Sequence, residues 1–435
     1  MAKPKRSPPV AVEARFKERI STKLHSALDA GTDHLAWMLG VRSVGDKKPS
    51  GSTNTFGRYE LELSGEQQKW RKSCEEDIDA EKDSIMFCVL HKLQALTALC
   101  QVEGAAEKYR PGVMALVQQL LSKRDVIVPG LGLKRSLLPI ANGLEAWFYE
   151  KKPRTGEYDI SVAVQAAAML SVVQCATALS EKDLIKDIQS WFLALEKMYP
   201  RKTWGELSFH SNSILWESFV LISTTIRQDS SFAEDIHEFV GDFESYLQAA
   251  FAQEPKVWSF SGANAAVVSW IAEKKAERKK KLGHTVDEYM KRWKINIAPN
   301  MNTSLMYTCG PMQGVAPLLL KRGADAAELV SSVLGLAEKD VDLFQIITKD
   351  GEKSIAAQRI GEKILGARGR TLEGAFLRDA AQLRSEKRLS LRIDDTAQCV
   401  IALTRTLKLV EDLQGVEVPE TPAGAAPSSP DRGEL

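Results

Sequence analysis

The stretch ISVAVQAAAMLSVVQCATALS, which runs from Ile160 to Ser180, is the part of this sequence that decides the predicted fold. Its apolar and small residues follow each other at helical spacing, without the polar stripe of an amphipathic surface helix. A helix of this kind is buried nearly all round, so other helices must pack around it. We therefore predict an α-helical barrel that encloses a ligand cavity.

Helical patterns continue on both sides of this stretch. Apolar residues recur every three to four positions from Gly65 to Gln101 and again from Asp394 to Leu413. The best strand candidate is short, from Val126 to Pro129, and the proline ends it. No period of about 20–50 residues marks a repeat protein. The patterns predict one all-α domain.

The two ends of the chain are predicted to be disordered. Residues 1–12 contain basic residues and prolines, and residues 413–435 are rich in Pro, Ala and Ser, both without apolar periodicity. A polar loop, Gly45–Gly57, follows the first helix. We therefore assign residues 13–63 to an N-terminal helix and loop, and residues 64–412 to the main catalytic domain.

Charge and composition limit the classes of function. The chain has 58 basic and 57 acidic residues, so neither a nucleic-acid groove nor a polybasic membrane anchor is expected, and any anion site must be local. No apolar run approaches the ~20 residues that span a bilayer, and the N-terminus lacks the apolar core of a secretory signal. We expect a soluble, intracellular protein of the cytoplasm or of an organelle such as a plastid.

The cysteines show none of the spacings of a metal site or a redox motif. We predict reduced core thiols in preference to a disulfide framework or a zinc site. The six residues are Cys74, Cys88, Cys100, Cys175, Cys309 and Cys399.

Two further stretches carry the candidate chemistry. They are HTVDEYMKRWKIN, from His284 to Asn296, and VDLFQIITKDGEK, from Val341 to Lys353. In the first, Thr285 and Glu288 form a capping-box pattern that predicts a helix start at about Val286. The order and spacing of the two stretches in a helical chain resemble the C-terminal half of a class I terpene synthase. This resemblance implies a single helical bundle of that type around a central ligand cavity.

The resemblance implies a diphosphate-binding residue three or four positions after Tyr289. This position is Arg292, and Lys294 is the second candidate. The planar guanidinium fork of arginine suits a diphosphate. The same basic residues also fit a solvated helix face, which is the alternative without the resemblance.

Between these two stretches, prolines and glycines interrupt the helical pattern. They stand at Pro299, Gly310, Pro311 and Gly314. The resemblance implies a helix break here, whose freed carbonyl groups would face a developing carbocation. A plain turn between helices is the alternative.

The second stretch contains the implied magnesium ligands. Gln345, Thr348 and Glu352 fall on positions of the family's metal motif, and spacing of i, i+4 and i+8 places residues on one helix face that can hold Mg²⁺. Lys349 falls where relatives carry a phosphate-binding lysine. Phe344 occupies the first ligand position and cannot bind a metal, so Asp340 and Asp342 just before it are the alternatives.

The family's aspartate-rich motif is absent where it is expected, between about residues 175 and 200. The acidic residues there that could replace it are Glu181 and Asp183. Nearer the C-terminus, Asp394 and Asp395 begin a D-D-T-A that resembles the motif of class II cyclases only superficially, and we predict that they cap the last helix.

The basic residues before this last helix are implied to form a lid. In a class I terpene synthase this position is the loop over the mouth of the cavity, so Arg388 and Arg392, together with Arg384, would reach the diphosphate. A solvated basic turn fits the same residues.

An incomplete metal motif in this fold resembles the algal N-prenyltransferases of kainoid biosynthesis. The resemblance implies Mg²⁺-assisted transfer of a dimethylallyl or geranyl group from its diphosphate to the amine of an amino acid such as L-glutamate. The alternatives are a divergent class I terpene cyclase that acts on a C10 or C15 prenyl diphosphate, and a non-catalytic helical scaffold.

Overall fold

The computed structural model describes residues 14–41, 58–62, 70–72, 82–121, 133–137, 145–149, 161–207, 209–226, 232–253, 260–297, 305, 308–322, 327–347, 354–360, 372–378 and 388–412. The ends predicted to be disordered, residues 1–12 and 413–435, and the predicted strand from Val126 to Pro129 lie outside these ranges.

The described part of the chain is predominantly helical, as the sequence predicts. Its helices are α1 Ala14–Met38, α2 Lys82–Gln101, α3 Ala105–Lys108, α4 Arg110–Leu121, α5 Val162–Ala178, α6 Ile188–Met198, α7 Phe209–Ile226, α8 Phe232–Gln253, α9 Phe260–Ala272, α10 Ala276–Ile297, α11 Cys309–Arg322, α12 Ala327–Phe344, α13 Ile355–Ile360 and α14 Ile393–Asp412. Its strands are β1 Arg58–Glu62, β2 Trp70–Lys72, β3 Leu133–Leu137, β4 Glu145–Tyr149 and β5 Arg388–Arg392. Among these helices, none combines the length and the apolar composition that a membrane crossing requires.

Six helices form a closed inner ring in the order α2, α5, α7, α9, α11 and α14. Each packs against the next, and α14 packs against α2 to close the ring. Helix α5 is buried along most of its length, from Ala163 to Ala176, because the ring and the outer helices cover it on all sides. The absence of a polar stripe in its sequence is explained by this position.

The outer helices alternate with the inner ones along the chain. Helices α4 and α6 pack against α5, α8 packs against α7, α10 against α9 and α12 against α11. Helix α1 packs against α14, α12 and α2, which places it over the point where the ring closes. The chain therefore forms two concentric layers of helices.

Helix α1, the N-terminal helix predicted within residues 13–63, is an integral part of this arrangement. Ile20, Leu24 and Leu35 on α1 are almost completely buried against the inner ring. Strand β1 of the same segment pairs antiparallel with β5, directly before the last inner helix. Burial of this apolar face joins the segment to the main domain.

Two small antiparallel sheets depart from the all-helical expectation. One has the strand order β2–β1–β5, and the other is the pair β3–β4. Trp147 on β4 is fully buried, and its indole Nε1 donates a hydrogen bond of 2.8 Å to the carbonyl of Leu120. Its backbone N–H donates to Gln165 Oε1 on α5 at 2.8 Å. This second sheet is anchored to the inner ring by these contacts.

The predicted helix start at Val286 is wrong. Helix α10 begins at Ala276 and runs through Thr285, which is therefore an interior position and not an N-cap. The glycine before it, Gly283, lies against the indole of Trp270, 3.5 Å from where a Cβ would stand. This glycine lies inside α10, so its presence does not mark a helix end.

In the part of the chain that the structure describes, which does not include the side chains of Cys74 and Cys88, two disulfides join neighbouring inner helices. Cys100–Cys175 links α2 to α5, and Cys309–Cys399 links α11 to α14. The prediction of reduced thiols is wrong for these four residues. Ring closure brings cysteines that are 75 and 90 positions apart to Cα–Cα distances of 4.9 Å, which sequence spacing alone does not show.

Candidate functional site

A group of polar side chains from different helices meets inside the inner ring. We call it the internal polar cluster. Its members are Glu217 on α7, Ser261 and Asn264 on α9, Tyr289 on α10, Gln313 on α11 and Arg405 on α14. Helices α7 and α14 stand on opposite sides of the ring, yet Glu217 and Arg405 interact electrostatically. Both side chains must therefore point toward the centre of the ring.

Glu217 is the acid–base group of the cluster. Burial raises the pKa of its carboxyl to about 7, and the charge of Arg405 and hydrogen bonds from Ser261 and Asn264 oppose this rise. A carboxyl with a pKa near neutrality exists in both protonation states at physiological pH. It can therefore accept a proton from a substrate or donate one.

Arg405 is the cation of the cluster. Burial lowers the pKa of its guanidinium and the charge of Glu217 raises it, but an arginine remains protonated at neutral pH. Its Nη1 donates a hydrogen bond to the backbone carbonyl of Gln313. The Gln313 side chain in turn donates to the carbonyl of Gln398 on α14, at 3.2 Å. These bonds hold the guanidinium between α11 and α14.

A proline explains why the Gln313 carbonyl is available to Arg405. Pro317 lies inside α11, four positions after Gln313, and has no N–H to donate to that carbonyl. The predicted helix break is wrong at Gly310, Pro311 and Gly314, through which α11 continues, and Pro299 lies outside the described residues. The carbonyl of Gln313 is nevertheless free of a helical hydrogen bond, and it accepts one from the guanidinium of Arg405.

Neighbouring groups fix the rest of the cluster. Asn264 donates from Nδ2 to the carbonyl of Gly310 at 3.2 Å, and the hydroxyl of Tyr289 donates to the carbonyl of Pro311 at 3.2 Å. Burial, followed by the charge of Glu217, raises the pKa of Tyr289 and keeps it a neutral phenol. A Cβ at Gly314 would stand 2.5 Å from Asn264 Oδ1, so only glycine leaves room for this amide.

Glu217 and Arg405 show two signs that they border a space and not a packed core. Each keeps part of its surface accessible. Burial is nevertheless the largest cause of the pKa shift of each group. Side chains that are enclosed by the protein and still partly accessible are expected to line an internal cavity.

The implied metal ligands are not brought together in the described part of the chain. Gln345 is fully buried, and its Nε2 donates to the carbonyl of Ala27 at 2.7 Å, so it ties α12 to α1. Asp342 forms an ion pair of 2.6 Å with Lys23, also on α1. Both residues face the N-terminal helix, and the prediction that they share a magnesium site with the later residues is not supported by their contacts.

The other implied ligands are distant or outside the description. Glu181 pairs with Arg110, and Asp183 is exposed in the 3₁₀ turn after α5. Thr348, Lys349 and Glu352 lie outside the described residues, as do the side chains of Arg292 and Lys294 on α10. Within the described ranges, no three His, Cys, Asp or Glu residues form a group that could hold a metal ion.

The arginines that are implied to form a lid are described only in part, and Arg384 lies outside the described residues. Arg388 and Arg392 belong to β5, and the side chain of Arg388 is not described. Arg392 binds both carboxylate oxygens of Asp394, from Nε at 3.0 Å and from Nη2 at 2.8 Å. His91 on α2 lies 3.4 Å from Asp394 Oδ2. Arg392 is therefore engaged in the protein and does not form a lid over a diphosphate.

Besides the internal polar cluster, the protein has a further group of charged residues, to which this ion pair belongs. We call this group the second acidic centre, and it is formed by His91, Arg392, Asp394 and Asp395. The two aspartates are buried in the first turn of α14, close to their predicted capping position. The N-terminus of a helix favours carboxylates because its backbone N–H groups carry partial positive charge. Thr396 accepts a hydrogen bond of 3.1 Å from the backbone N–H of Phe376. The D-D-T-A segment, residues 394–397, is therefore buried at the start of α14, at one end of the inner ring.

The residues of the internal polar cluster were missed in the sequence because each stands alone. Glu217 is the single acidic residue of α7, and Arg405 lies in an apolar stretch of α14 whose next charge is the exposed Lys408. An isolated charge at a buried position of an apolar helix is the signal that could have found them. Comparison of the whole chain with protein-family models, with curated proteins and with solved structures gives no match.

Proposed function

We propose that this protein is an enzyme that carries out general acid–base chemistry inside its inner ring of helices. Glu217 is the proton-transferring group, and Arg405 binds an anionic group of the substrate. The observation that carries the proposal is the position of these two groups on opposite inner helices, with the pKa of Glu217 raised to about 7. A carboxyl that titrates near neutral pH beside a buried cation marks a candidate catalytic position.

The reaction that we propose is transfer of an allylic prenyl group to the amine of an amino acid. Arg405 would hold the acceptor's carboxylate, since its planar fork matches two carboxylate oxygens. Ionised Glu217 would take a proton from the ammonium group, and the free amine would attack the allylic carbon. The carbon–nitrogen bond forms as the carbon–oxygen bond breaks, and diphosphate leaves with the electron pair. The apolar inner helices would keep water from competing for the prenyl group.

No step of this proposal passes through a metal ion. The described candidates for magnesium ligands face different parts of the protein, with Asp342 on Lys23 and Glu181 on Arg110. They do not fit a shared metal site. The proposal therefore rests on binding of the amino-acid acceptor by Arg405 and on its deprotonation by Glu217.

A second candidate function is cyclisation of a prenyl diphosphate that starts with protonation. The second acidic centre favours it, because two adjacent buried aspartates stand beside His91 and Arg392 at the start of an inner helix. Asp394 is engaged in the ion pair with Arg392, so the proton donor of this reaction would be Asp395. The product would retain its diphosphate, which separates this reaction from prenyl transfer.

One experiment separates the candidates. The protein is incubated with dimethylallyl, geranyl and farnesyl diphosphates, each with and without Mg²⁺ and L-glutamate, and both the products and the released diphosphate are measured. Prenyl transfer predicts diphosphate release that depends on the amino acid, together with an N-prenylated product. Protonation-initiated cyclisation predicts an isomer of the substrate without the amino acid. Absence of turnover under every condition would contradict both and leave the scaffold.

A further inference from the structure

A cluster of basic residues lies near Trp270, at the ends of α9 and α11 and at the start of α10. We call it the Trp270 cluster. Its basic members are Lys274, Lys275, Lys279, Lys280, Lys281, Lys321 and Arg322. Lys279 Nζ lies 5.0 Å from the centre of the Trp270 ring, and Arg322 Cζ lies 5.7 Å from it. Cations at this distance from an indole are attracted to its π face.

Most of the charge in this cluster has no ion-pair partner among the residues that the structure describes. Lys274, Lys275 and Lys280 are exposed, and Lys281 has only a long contact of 3.9 Å with Glu277. The two arginines differ, since Arg278 pairs with Glu244 and Glu273, and Arg322 pairs with Asp287. The exposed lysines therefore present a positive surface to whatever lies beyond this end of the ring.

The charge of the whole chain makes this surface stand out. The segment from residue 273 to 281 contains six basic and two acidic residues, whereas the whole chain has a net charge of +1. The remainder of the chain is therefore net negative. Near an anionic surface, attraction acts at this end and repulsion acts elsewhere, so the protein is oriented with the Trp270 cluster toward that surface.

We propose that the Trp270 cluster docks this protein on a membrane surface that carries anionic phospholipid headgroups. Lysines with long apolar stems around a partly buried indole match the chemistry of the membrane interface, where ammonium groups meet phosphates and the indole lies at headgroup level. A nucleic acid fits less well, because it is bound along an extended basic track and the chain outside this segment is net negative.

This proposal stands independently of the reaction inside the ring. A protein that acts on prenyl substrates gains from contact with a membrane, because long prenyl chains partition into it. The docking surface does not need that reaction, however, and binding can be measured without any substrate.

The test is sedimentation of the protein with vesicles of phosphatidylcholine, with and without phosphatidylserine. Binding is expected only with phosphatidylserine, and it is expected to weaken as salt is raised because exposed charges are screened. The variant that carries Lys274→Glu, Lys275→Glu, Lys280→Glu and Lys281→Glu is expected to bind at least about 100-fold more weakly, since each lysine near such a surface contributes to binding.

The matched control reverses four exposed lysines elsewhere and changes the net charge equally. It carries Lys182→Glu, Lys186→Glu, Lys197→Glu and Lys202→Glu, which lie in and around α6. This control is expected to bind within about threefold of the wild type, because its four charges lie outside the Trp270 cluster. Equal losses in the two variants, equal binding to neutral vesicles, or tighter binding to duplex DNA than to phosphatidylserine vesicles would each overturn the proposal.

Discussion

At the scale of single residues, Glu217 is the centre of the proposed chemistry, and its ionised form lowers the stability of the folded protein. Its folded pKa is raised above its ordinary value near 4.5, so the folded protein holds the proton more tightly than the unfolded chain. The contribution of Glu217 to the free energy of unfolding is complete below pH 4.5 and is lost as the pH rises through about 7. Activity and stability are therefore expected to change in opposite directions when the carboxyl is removed.

We predict that Glu217→Gln reduces turnover at least ~100-fold while it stabilises the protein at about pH 9 by roughly 1–3 kcal/mol. Urea unfolding at about pH 5 and about pH 9 measures the stability, and the gain is expected only at the higher pH. Glu196→Gln, at an exposed position on α6, is the control and is expected to change neither quantity. A destabilised Glu217→Gln at high pH would contradict burial as the cause of the shift.

His34 on α1 gives a second test of burial at the residue scale. Burial lowers the pKa of its imidazole to about 4, and a hydrogen bond with the backbone of Glu373 opposes this only in part. The unfolded chain takes up a proton near pH 6.5, which the folded protein does not accept until about pH 4. Acid therefore destabilises the folded state through this group.

We predict that the wild type loses more stability than His34→Leu as pH falls from about 6.5 to about 4. Thermal unfolding of both proteins across this range measures the difference. Parallel curves for the two proteins would show that His34 is not neutral and buried in the folded state.

At the scale of elements, Pro317 decides what the α11 backbone offers to Arg405. Pro317→Ala supplies an N–H that can bond to the Gln313 carbonyl inside the helix, in competition with the guanidinium. We predict that α11 becomes no less stable, while KM for the amino-acid acceptor rises at least ~10-fold with a smaller change in kcat.

Steady-state kinetics and thermal unfolding of the same variant check both halves of this prediction. A matched change at Pro311, whose ring is at the start of α11, is expected to leave KM unaltered. An unchanged KM in Pro317→Ala would mean that Arg405 keeps its place without the freed carbonyl.

Two glycines with similar backbone angles test packing between elements. Gly374 has φ 83° and Gly104 has φ 74°, a region that residues with a Cβ rarely adopt. A Cβ at Gly374 would stand 1.9 Å from the carbonyl oxygen of Ala30 on α1, whereas a Cβ at Gly104 meets nothing within 4 Å. Only the first position combines backbone strain with a collision.

We predict that Gly104→Ala costs about 1 kcal/mol, the strain alone, and that Gly374→Ala costs at least about 3 kcal/mol or prevents folding. Chemical denaturation of the two variants gives the comparison. Similar costs at the two positions would mean that α1 moves freely away from the turn at Gly374.

At the scale of the whole molecule, the two disulfides restrain the ring. Cys100–Cys175 and Cys309–Cys399 close loops of 75 and 90 residues between neighbouring inner helices. Cross-links over loops of this length stabilise a fold by about 4 kcal/mol, mainly by restricting the unfolded chain. We predict that Cys100→Ala with Cys175→Ala lowers stability by about this amount. Unfolding of the wild type with and without dithiothreitol is the reference, since a reductant without effect would contradict the cross-links.

Local patterns were enough to predict the helices. The spacing of apolar residues along α5 and α14 reflects the helical period, which depends on neighbours within one or two turns. The prediction failed where a local signal also occurs inside a helix. Thr285 and Glu288 form a capping-box pattern in sequence, but both lie inside α10, which begins at Ala276.

The sequence by itself determined that this protein is helical and that α5 is enclosed, because periodicity and the lack of a polar face are properties of one segment. Only the tertiary structure decided which residues form a site. Glu217 and Arg405 are brought together by closure of the ring, and Arg405 is placed by a carbonyl that Pro317 leaves free. These relations join positions far apart in the chain, and the free energy of burial that selects them belongs to the packed protein as a whole.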